Sequence, residues 1–315
     1  MMNPVLIFKI AVRIVQRFTM RFVVGCKPLR NAVTRWAVWR KQPKALPVST
    51  AQVFETFEKE KYKNDLATNG YAKGAFVNQD YVQAVLDYCR MSNATLGLKD
   101  QARVKRKEIY IPVNAVKAPI HGVSYYYYYD VHNKCEAVRD IVFNENLLSV
   151  VRDYLGAEPT LLFSNIIWTF PVHNKGQRVD EVGQFGFHFD IPDFKSLAVF
   201  VYLSDVDEDC GPHVVIGGTH QKKPLQSLLL NTLSRRKARR KYQDRIEVFT
   251  GKKGTAVIED IYSYHKATNP HKPRLALKFF FGVQRETMIH NRNLRDFKKT
   301  NTQKRRAESL ESVSV

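Results

Sequence analysis

Apolar and polar positions follow two rhythms along this chain. From residue 160 onward the apolar runs are short and β-rich: 160–170, 184–190, 196–203, 213–217, 246–249, 254–259 and 274–283. Gly, Pro and Asp turns separate them, a spacing that predicts a β-sandwich or barrel. Before residue 160 the rhythm is mixed. Residues 51–63, 78–98 and 144–156 predict helices, the last ending at Gly156, while 108–114 and 123–130 predict strands and the basic stretch 100–108 a loop. The run Tyr125 to Tyr129 is β-favouring, and an extended strand would send its rings alternately to opposite faces. The pattern as a whole predicts an α+β, mainly β fold. Residues 222–245 interrupt the strands with a basic helical insertion containing Arg235-Arg236-Lys237-Ala238-Arg239-Arg240-Lys241.

The N-terminus carries a third pattern. Residues 4–24 are apolar but hold Lys9, Arg13, Arg17 and Arg21 at intervals of four, which sets the cations in one helical stripe. A signal peptide places its charges before the apolar run, not through it. A transmembrane helix would bury four cations at about 2.5–3.5 kcal/mol each near the bilayer centre. An interfacial amphipathic helix accommodates both faces. Trp36, Trp39, Arg35, Arg40 and Lys41 extend the theme, so residues 4–41 are expected to give peripheral membrane contact. The alternative is a helix packed on the protein's own core with a basic edge. Pro43 and Pro47 end the segment. The chain thus divides into a basic amphipathic segment (1–48), a main domain (49–284) carrying the insertion, and a polar, basic, Ser-rich tail (285–315) expected to be partly disordered.

Composition changes this picture in one respect. Hydrophobic residues make up 44% of 315, enough for a sizeable core, but the net charge of +20 is unevenly placed. Residues 1–48 hold ten Lys/Arg and no Asp/Glu, and residues 222–245 hold nine basic and one acidic side chain. Residues 49–221 carry 17 basic and 22 acidic. The excess sits on the appendages and implies an anionic partner: an anionic lipid, a glycolipid or a phosphorylated small molecule. No RNA- or DNA-binding motif accompanies the basic run, which argues against nucleic acid. Cys26, Cys89, Cys135 and Cys210 form no C-x-x-C pair, consistent with a reducing, cytoplasmic setting and no zinc ribbon.

The candidate chemistry lies in the β-rich half. In His188-Phe189-Asp190 the outer residues share one strand face, with Phe189 turned to the other. Two imidazoles and one carboxylate cap one face of Fe(II) and leave positions open. A third ligand must come from a distant strand; His265 lies 75 residues after Asp190, following the apolar run Gly254 to Glu259. Arg274, nine residues further, opens another apolar run and is suited to a two-pronged bond with a carboxylate. His188, Asp190 and His265 are therefore the expected metal ligands. His220 is expected to stabilise a turn. The acidic run Asp205, Asp207, Glu208, Asp209 lacks the Gly and terminal Glu of an EF-hand and reads as a solvated turn. Lys195, close behind the H-x-D strand, reads as a plain surface lysine, the alternative being one that reaches an acidic substrate.

The stretch Phe200 to Pro212 (FVYLSDVDEDCGP) and its continuation Val214 to His220 (VVIGGTH) resemble the phytanoyl-CoA dioxygenase family of Fe(II)/2-oxoglutarate-dependent oxygenases. The resemblance covers about 160–283 well and 50–160 loosely, as judged from the motif positions. It implies a double-stranded β-helix (jelly roll, cupin-like) with flanking helices, iron on the three ligands, and Arg274 on the C5 carboxylate of the co-substrate 2-oxoglutarate, with O₂ as oxidant. It also implies polar cofactor contacts from the strand before H-x-D, for which Asn165 and Thr169 are the candidates, and a mobile lid at 172–183. Asp190 implies hydroxylation or a related oxidation, since halogenating relatives have Gly or Ala there. The chain departs from the family at Gly217 and Thr219, and at Ala276, where many members place a hydroxyl that assists the Arg. The expected substrate is a membrane-associated anionic molecule, such as a lipopolysaccharide sugar acid (Kdo-like) or a lipid, met on the inner face of the membrane. The alternatives are a soluble acyl-CoA or small metabolite, and a non-catalytic basic jelly roll that binds nucleic acid or membrane.

Overall fold

The computed structural model describes residues 19–40, 43–97, 108–171, 186–224 and 231–283. Residues 19–25 are helical and lead into α1 (Lys27–Arg40). Then follow β1 (Phe54–Thr56), α2 (Lys59–Asn69), β2 (Tyr71–Val77), α3 (Gln79–Met91), β3 (Ala94–Leu96), β4 (Glu108–Ile109), β5 (Tyr125–Tyr129), α4 (Glu136–Val142) and α5 (Glu145–Leu155). The β-rich half comprises β6 (Thr160–Thr169), β7 (Phe187–His188), β8 (Ser196–Tyr202), β9 (His213–Ile216) and β10 (Thr232–Leu233). It ends with α6 (Arg235–Tyr242), β11 (Ile246–Phe249), β12 (Thr255–Glu259), β13 (Tyr264–Ala267) and β14 (Arg274–Gly282).

The strands form two antiparallel sheets. The larger runs β1-β2-β12-β8-β14-β6-β5-β3-β4 and the smaller β10-β7-β13-β9-β11. From β6 the chain passes back and forth between them: β6, β8, β12 and β14 join the large sheet, and β7, β9, β10, β11 and β13 the small one, with β9 to β11 in succession. Strand alternation gives the large sheet two distinct faces. Leu275, Leu277, Phe279 and Phe281 of β14, with Val199 and Val201 of β8 and Trp168 of β6, join the main core. There they pack with Val82, Val85 and Leu86 of α3 and Leu147, Leu148 and Val151 of α5. Arg274, Ala276 and Lys278 of β14 point the other way, into a cavity that residues of both sheets line. The tyrosine run splits as its alternation requires: Tyr126 and Tyr128 are buried in the core, while Tyr125 and Tyr127 line the cavity.

Local signals account for the helix ends. Asn144 caps α5, its side chain accepting from the amides of Asn146 and Leu147. Gly70 ends α2 at φ 78°, where its amide reaches Leu66 O and an added Cβ would lie 2.4 Å from His220 Nδ1.

Several expected elements differ. The helix expected at 51–63 is the short strand β1 followed by α2, which begins at Lys59 and runs to Asn69. The helix expected at 78–98 stops at Met91 and β3 follows. β2 and β13 are strands where none was expected. The helical insertion 222–245 contains strand β10, and its α-helix spans only Arg235–Tyr242. Most of the amphipathic stretch 4–24 lies outside the described residues, as do the expected lid and the tail. The described part of the N-terminal segment packs on the body. Arg30, Thr34 and Ala37 of α1 are buried, and Val24 packs with Ala238 and Tyr242 of α6. Among the described residues no helix is long and apolar enough to cross a membrane.

Candidate metal centre

The short strand β7 pairs with β13 so that His188 and His265 face each other across the ladder, ring centroids 4.5 Å apart. Asp190 lies two residues beyond His188, held by its amide donating to Ile261 O at 2.9 Å. Phe189 turns away into an apolar cluster with Tyr262 and Tyr264, as the strand period requires. One ligand atom from each of His188, Asp190 and His265 lies within 4.8 Å of the others, a spacing suited to a single metal ion.

Both imidazoles are oriented from behind. His188 Nδ1 lies 2.8 Å from Gly186 O and His265 Nδ1 3.1 Å from Ser263 O. A carbonyl oxygen only accepts, so the proton sits on Nδ1 in each ring and Nε2 is left with a lone pair for a metal. His265 Nε2 stands 3.7 Å from Asp190 Oδ2. Burial, reinforced by His265, lowers His188 to about 4, so it is neutral over the ordinary pH range. Burial opposes charge on Asp190 too, but the facing imidazoles outweigh it and hold the carboxyl below its usual range. Burial disfavours charge on His265, yet Asp190 and Glu259 overcome it and raise its pKa. The donor set is thus two imidazole nitrogens and one carboxylate, the combination that holds Fe(II) with open positions.

Behind the ligands lies Glu259, the last residue of β12 and fully buried. Its Oε2 accepts from His213 Nε2 at 2.5 Å and its Oε1 stands 3.7 Å from His265 Nδ1. His213, buried and held neutral by desolvation, lies between the rings of Phe200 and Phe249. Glu259 was given no role from sequence: H-x-D spacing carries no information about a carboxylate on a strand of the other sheet.

The cavity in front of the ligands has a volume of about 530 Å³. Cross-strand register orders its large-sheet wall into rows. Tyr125, Thr169 and Arg274 are neighbours across β5, β6 and β14. Tyr127, Ile167, Ala276 and Tyr202 form the next row, and Asn165, Lys278 and Phe200 the third. Arg274 donates to Gly211 O, a carbonyl that Gly211 presents at φ 66°, where a Cβ would lie 2.7 Å from Thr268 O. Beside it the buried Tyr125 hydroxyl has no hydrogen-bond partner among the described residues. Thr169 therefore stands next to Arg274. Asn165 lines the same cavity two rows away, and its Oδ1 accepts from the Asp130 amide at 3.3 Å. Lys278 is a second cation on this wall, flanked by the rings of Phe200 and Phe280 at 4.9 and 4.7 Å.

The remaining sequence candidates lie away from the ligands. His220 is buried with Nε2 donating to Ala67 O at 3.3 Å. Asp207 caps a tight turn by accepting from the amides of Asp209 and Cys210, and Lys272 pairs with it at 2.9 Å.

No protein-family model matches the chain, and no curated protein does. Several solved structures are partly similar. The non-heme alpha ketoglutarate dependent epimerase SnoN from nogalamycin biosynthesis is 14% identical over 71% of this chain and 82% of its own, with a TM-score of 0.47. EctD from S. alaskensis, solved with bound Fe, is 17% identical over 77% and 83%, TM-score 0.46. HygX from Streptomyces hygroscopicus, solved with nickel, 2-oxoglutarate and hygromycin B, is 13% identical over 72% and 88%, TM-score 0.44. At these identities and scores the likeness decides neither family nor activity.

Proposed function

We propose that this protein is an Fe(II)- and 2-oxoglutarate-dependent oxygenase that hydroxylates a small polar or anionic molecule. One observation carries the reading: a two-His, one-Asp donor set within 4.8 Å on the small sheet, opening on a cavity whose other wall presents Arg274. The passage of the strands back and forth between two antiparallel sheets supports a double-stranded β-helix, a fold in which such a triad would sit between the sheets. Within that class, FVYLSDVDEDCGP and VVIGGTH support a phytanoyl-CoA dioxygenase-like member.

When bound, iron with 2-oxoglutarate and O₂ supplies the oxidising power that inserts an oxygen atom into a C–H bond. The protein's own groups do the rest. His188 and His265 present Nε2, Asp190 supplies the anionic oxygen, and their open side faces the cavity. The Arg274 guanidinium holds the distal carboxylate of 2-oxoglutarate, with the Tyr125 hydroxyl and Thr169 in the same row in place of the hydroxyl that Ala276 lacks. Phe163, Ile167 and Phe200 keep the wall dry, which strengthens each polar contact inside. Lys278 supplies a cation for an anionic group on the primary substrate. A cavity with Tyr, Asn, Arg and Lys on its walls suits a compact polar molecule, where an acyl chain would call for an apolar tunnel.

Anaerobic addition of Fe(II) and 2-oxoglutarate should give the visible charge-transfer absorbance of the chelate, and Asp190→Ala should abolish it. No absorbance from the intact protein would sink the enzyme reading. Succinate release, screened over anionic sugars, amino acids and acyl-CoAs, then identifies the substrate; release stimulated by acyl-CoAs alone would overturn the compact-substrate part.

Membrane contact is a second reading, favoured by α1. Its buried face docks on the body, while Arg35, Trp36, Trp39 and Arg40 are exposed. The α6 cations lie on the helix that packs against Val24. Trp with basic residues suits an anionic interface, and this would bring the enzyme to substrates held there.

A further inference from the structure

A second cavity, of about 430 Å³, lies where α1 rests on α2 and α5. Lys27 and Arg30 of α1 line it with Lys63 of α2, Asp153 and Tyr154 of α5, and Lys195. None of these residues lines the metal cavity. Their charges do not balance. Lys63 is engaged by Glu60 at 2.8 Å and Asp153 at 2.6 Å. The nearest remaining carboxylate, Asp260, is buried and occupied: it accepts from Tyr154 Oη at 2.5 Å and from the Tyr262 amide at 2.9 Å. It stands 4.0 Å from Arg30, beyond hydrogen-bond distance.

Arg30 is the decisive residue. It is 3% exposed, and its Nε has no hydrogen-bond partner among the described residues. A buried guanidinium N–H without a partner is costly, and neither the Asp260 carboxylate at 4.0 Å nor the Tyr262 ring, 5.6 Å from the guanidinium carbon, supplies Nε with one. Lys195 points the same way. Its ammonium lies 4.7 Å over the Tyr154 ring, with no carboxylate at ion-pair distance among the described residues. Burial, with Arg30 and Lys27 acting against Asp260, holds its amine down at about 8. Three cations crowd one another around a space larger than a single ion.

We propose that this cavity binds a phosphoryl group, carried by a small organic molecule or by a lipid headgroup. A phosphate monoester brings close to two negative charges and three strong acceptor oxygens; with Asp260 facing Arg30, these match the charges left on Lys27 and Lys195, and a carboxylate would leave one of them uncompensated. The remaining volume takes the organic part. The site stands apart from the metal centre and is independent of the oxygenase reading.

The test uses the full chain. Inorganic phosphate is titrated against chloride at matched ionic strength, following binding by calorimetry and Lys195 acylation at pH 8 by mass spectrometry. Phosphate should bind, slow acylation of Lys195, and raise Tm by about 3 °C at tenfold excess over Kd. Lys195→Met and Arg30→Gln should each weaken binding about tenfold or more. Lys195→Met, at a half-buried position, serves if Arg30→Gln fails to fold, and unchanged Fe(II) binding by Lys195→Met confirms an intact fold. Glycerol phosphate and vesicles containing phosphatidic acid then separate the sources: protection of Lys195 by the first assigns a soluble phosphorylated ligand, by the second alone a headgroup. Equal acylation in phosphate and chloride, or equal phosphate affinity in wild type and Lys195→Met, overturns the proposal.

Discussion

In the proposed reading, Glu259 and Arg274 act on the two things the cavity would hold. Glu259 touches no cavity ligand directly, yet it reaches the back of His265 at 3.7 Å and grips His213 at 2.5 Å. The Ser263 carbonyl fixes the His265 tautomer, while the Glu259 charge behind it raises the basicity of the ring, and losing an outer partner of a metal-ligating imidazole typically costs about 10–100-fold in metal affinity. Glu259→Gln keeps the shape and removes the charge, so Fe(II) affinity should fall by about that factor while far-UV circular dichroism stays unchanged. Equal affinity in a competition titration would restrict Glu259 to packing. Arg274→Gln separates the other function. A charge-assisted bond to a carboxylate contributes about 1.5–3 kcal/mol, so the KM for 2-oxoglutarate should rise at least about tenfold with Fe(II) affinity unchanged. If the KM stays put, the C5 carboxylate is held elsewhere, and Lys278 is the next cation to test.

At the scale of elements, β5 carries the clearest pH dependence. Burial pushes the Tyr125 hydroxyl up to about 12, against the pull of Arg274, and pushes Tyr129 up to about 12 as well. In the unfolded chain both ionise near 10, so above that pH the unfolded state releases protons that the folded state keeps. Their stabilising contribution is complete below about pH 10 and is lost as pH rises towards 12. Urea midpoints should therefore fall above pH 10, and tyrosinate absorbance should appear together with unfolding. Ionisation of these rings in a chain still folded would show that the β5 cavity face is wet.

The same scale explains what was legible in sequence. β14 could be read because its apolar run is broken only by Lys278, which falls on the same face as Arg274. The H-x-D pair, His265 and Arg274 could be read because their chemistry dictates residue type and spacing. β2 was hidden by Lys73 and Gly74, two exposed residues in mid-strand where the pairing with β12 shifts register. β13 has no alternation of its own to read in Tyr-His-Lys-Ala; it is ordered by β7 on one side and β9 on the other. The Tyr125–Thr169–Arg274 row was invisible for a related reason: it exists only through pairing across three strands.

At the scale of the whole molecule, charge and packing divide the work. The body from 49 to 221 is close to neutral, whereas the N-terminal segment and the insertion carry most of the excess cations. In the structure these two regions meet, since Val24 packs with Ala238 and Tyr242 of the basic helix. α1 is therefore two-faced: removing it whole would strip Arg30, Thr34 and Ala37 from the body, and any loss of membrane binding could reflect lost packing. The discriminating variant alters only the outer face. Trp39 is 77% exposed and Trp36 51%, with Arg40 lying over the Trp36 ring at 5.4 Å. Trp36→Ser with Trp39→Ser should leave Tm within a degree or so, because surface substitutions change stability by about 0.5 kcal/mol or less. Flotation with vesicles containing anionic phospholipid should recover the wild type and markedly less of the double variant, since the interface rewards indole rings. Recovery should decline with added salt, as each cation near the surface contributes about 1 kcal/mol that screening removes. Equal recovery of both proteins would assign α1 to packing alone and leave the α6 cations for a soluble anion.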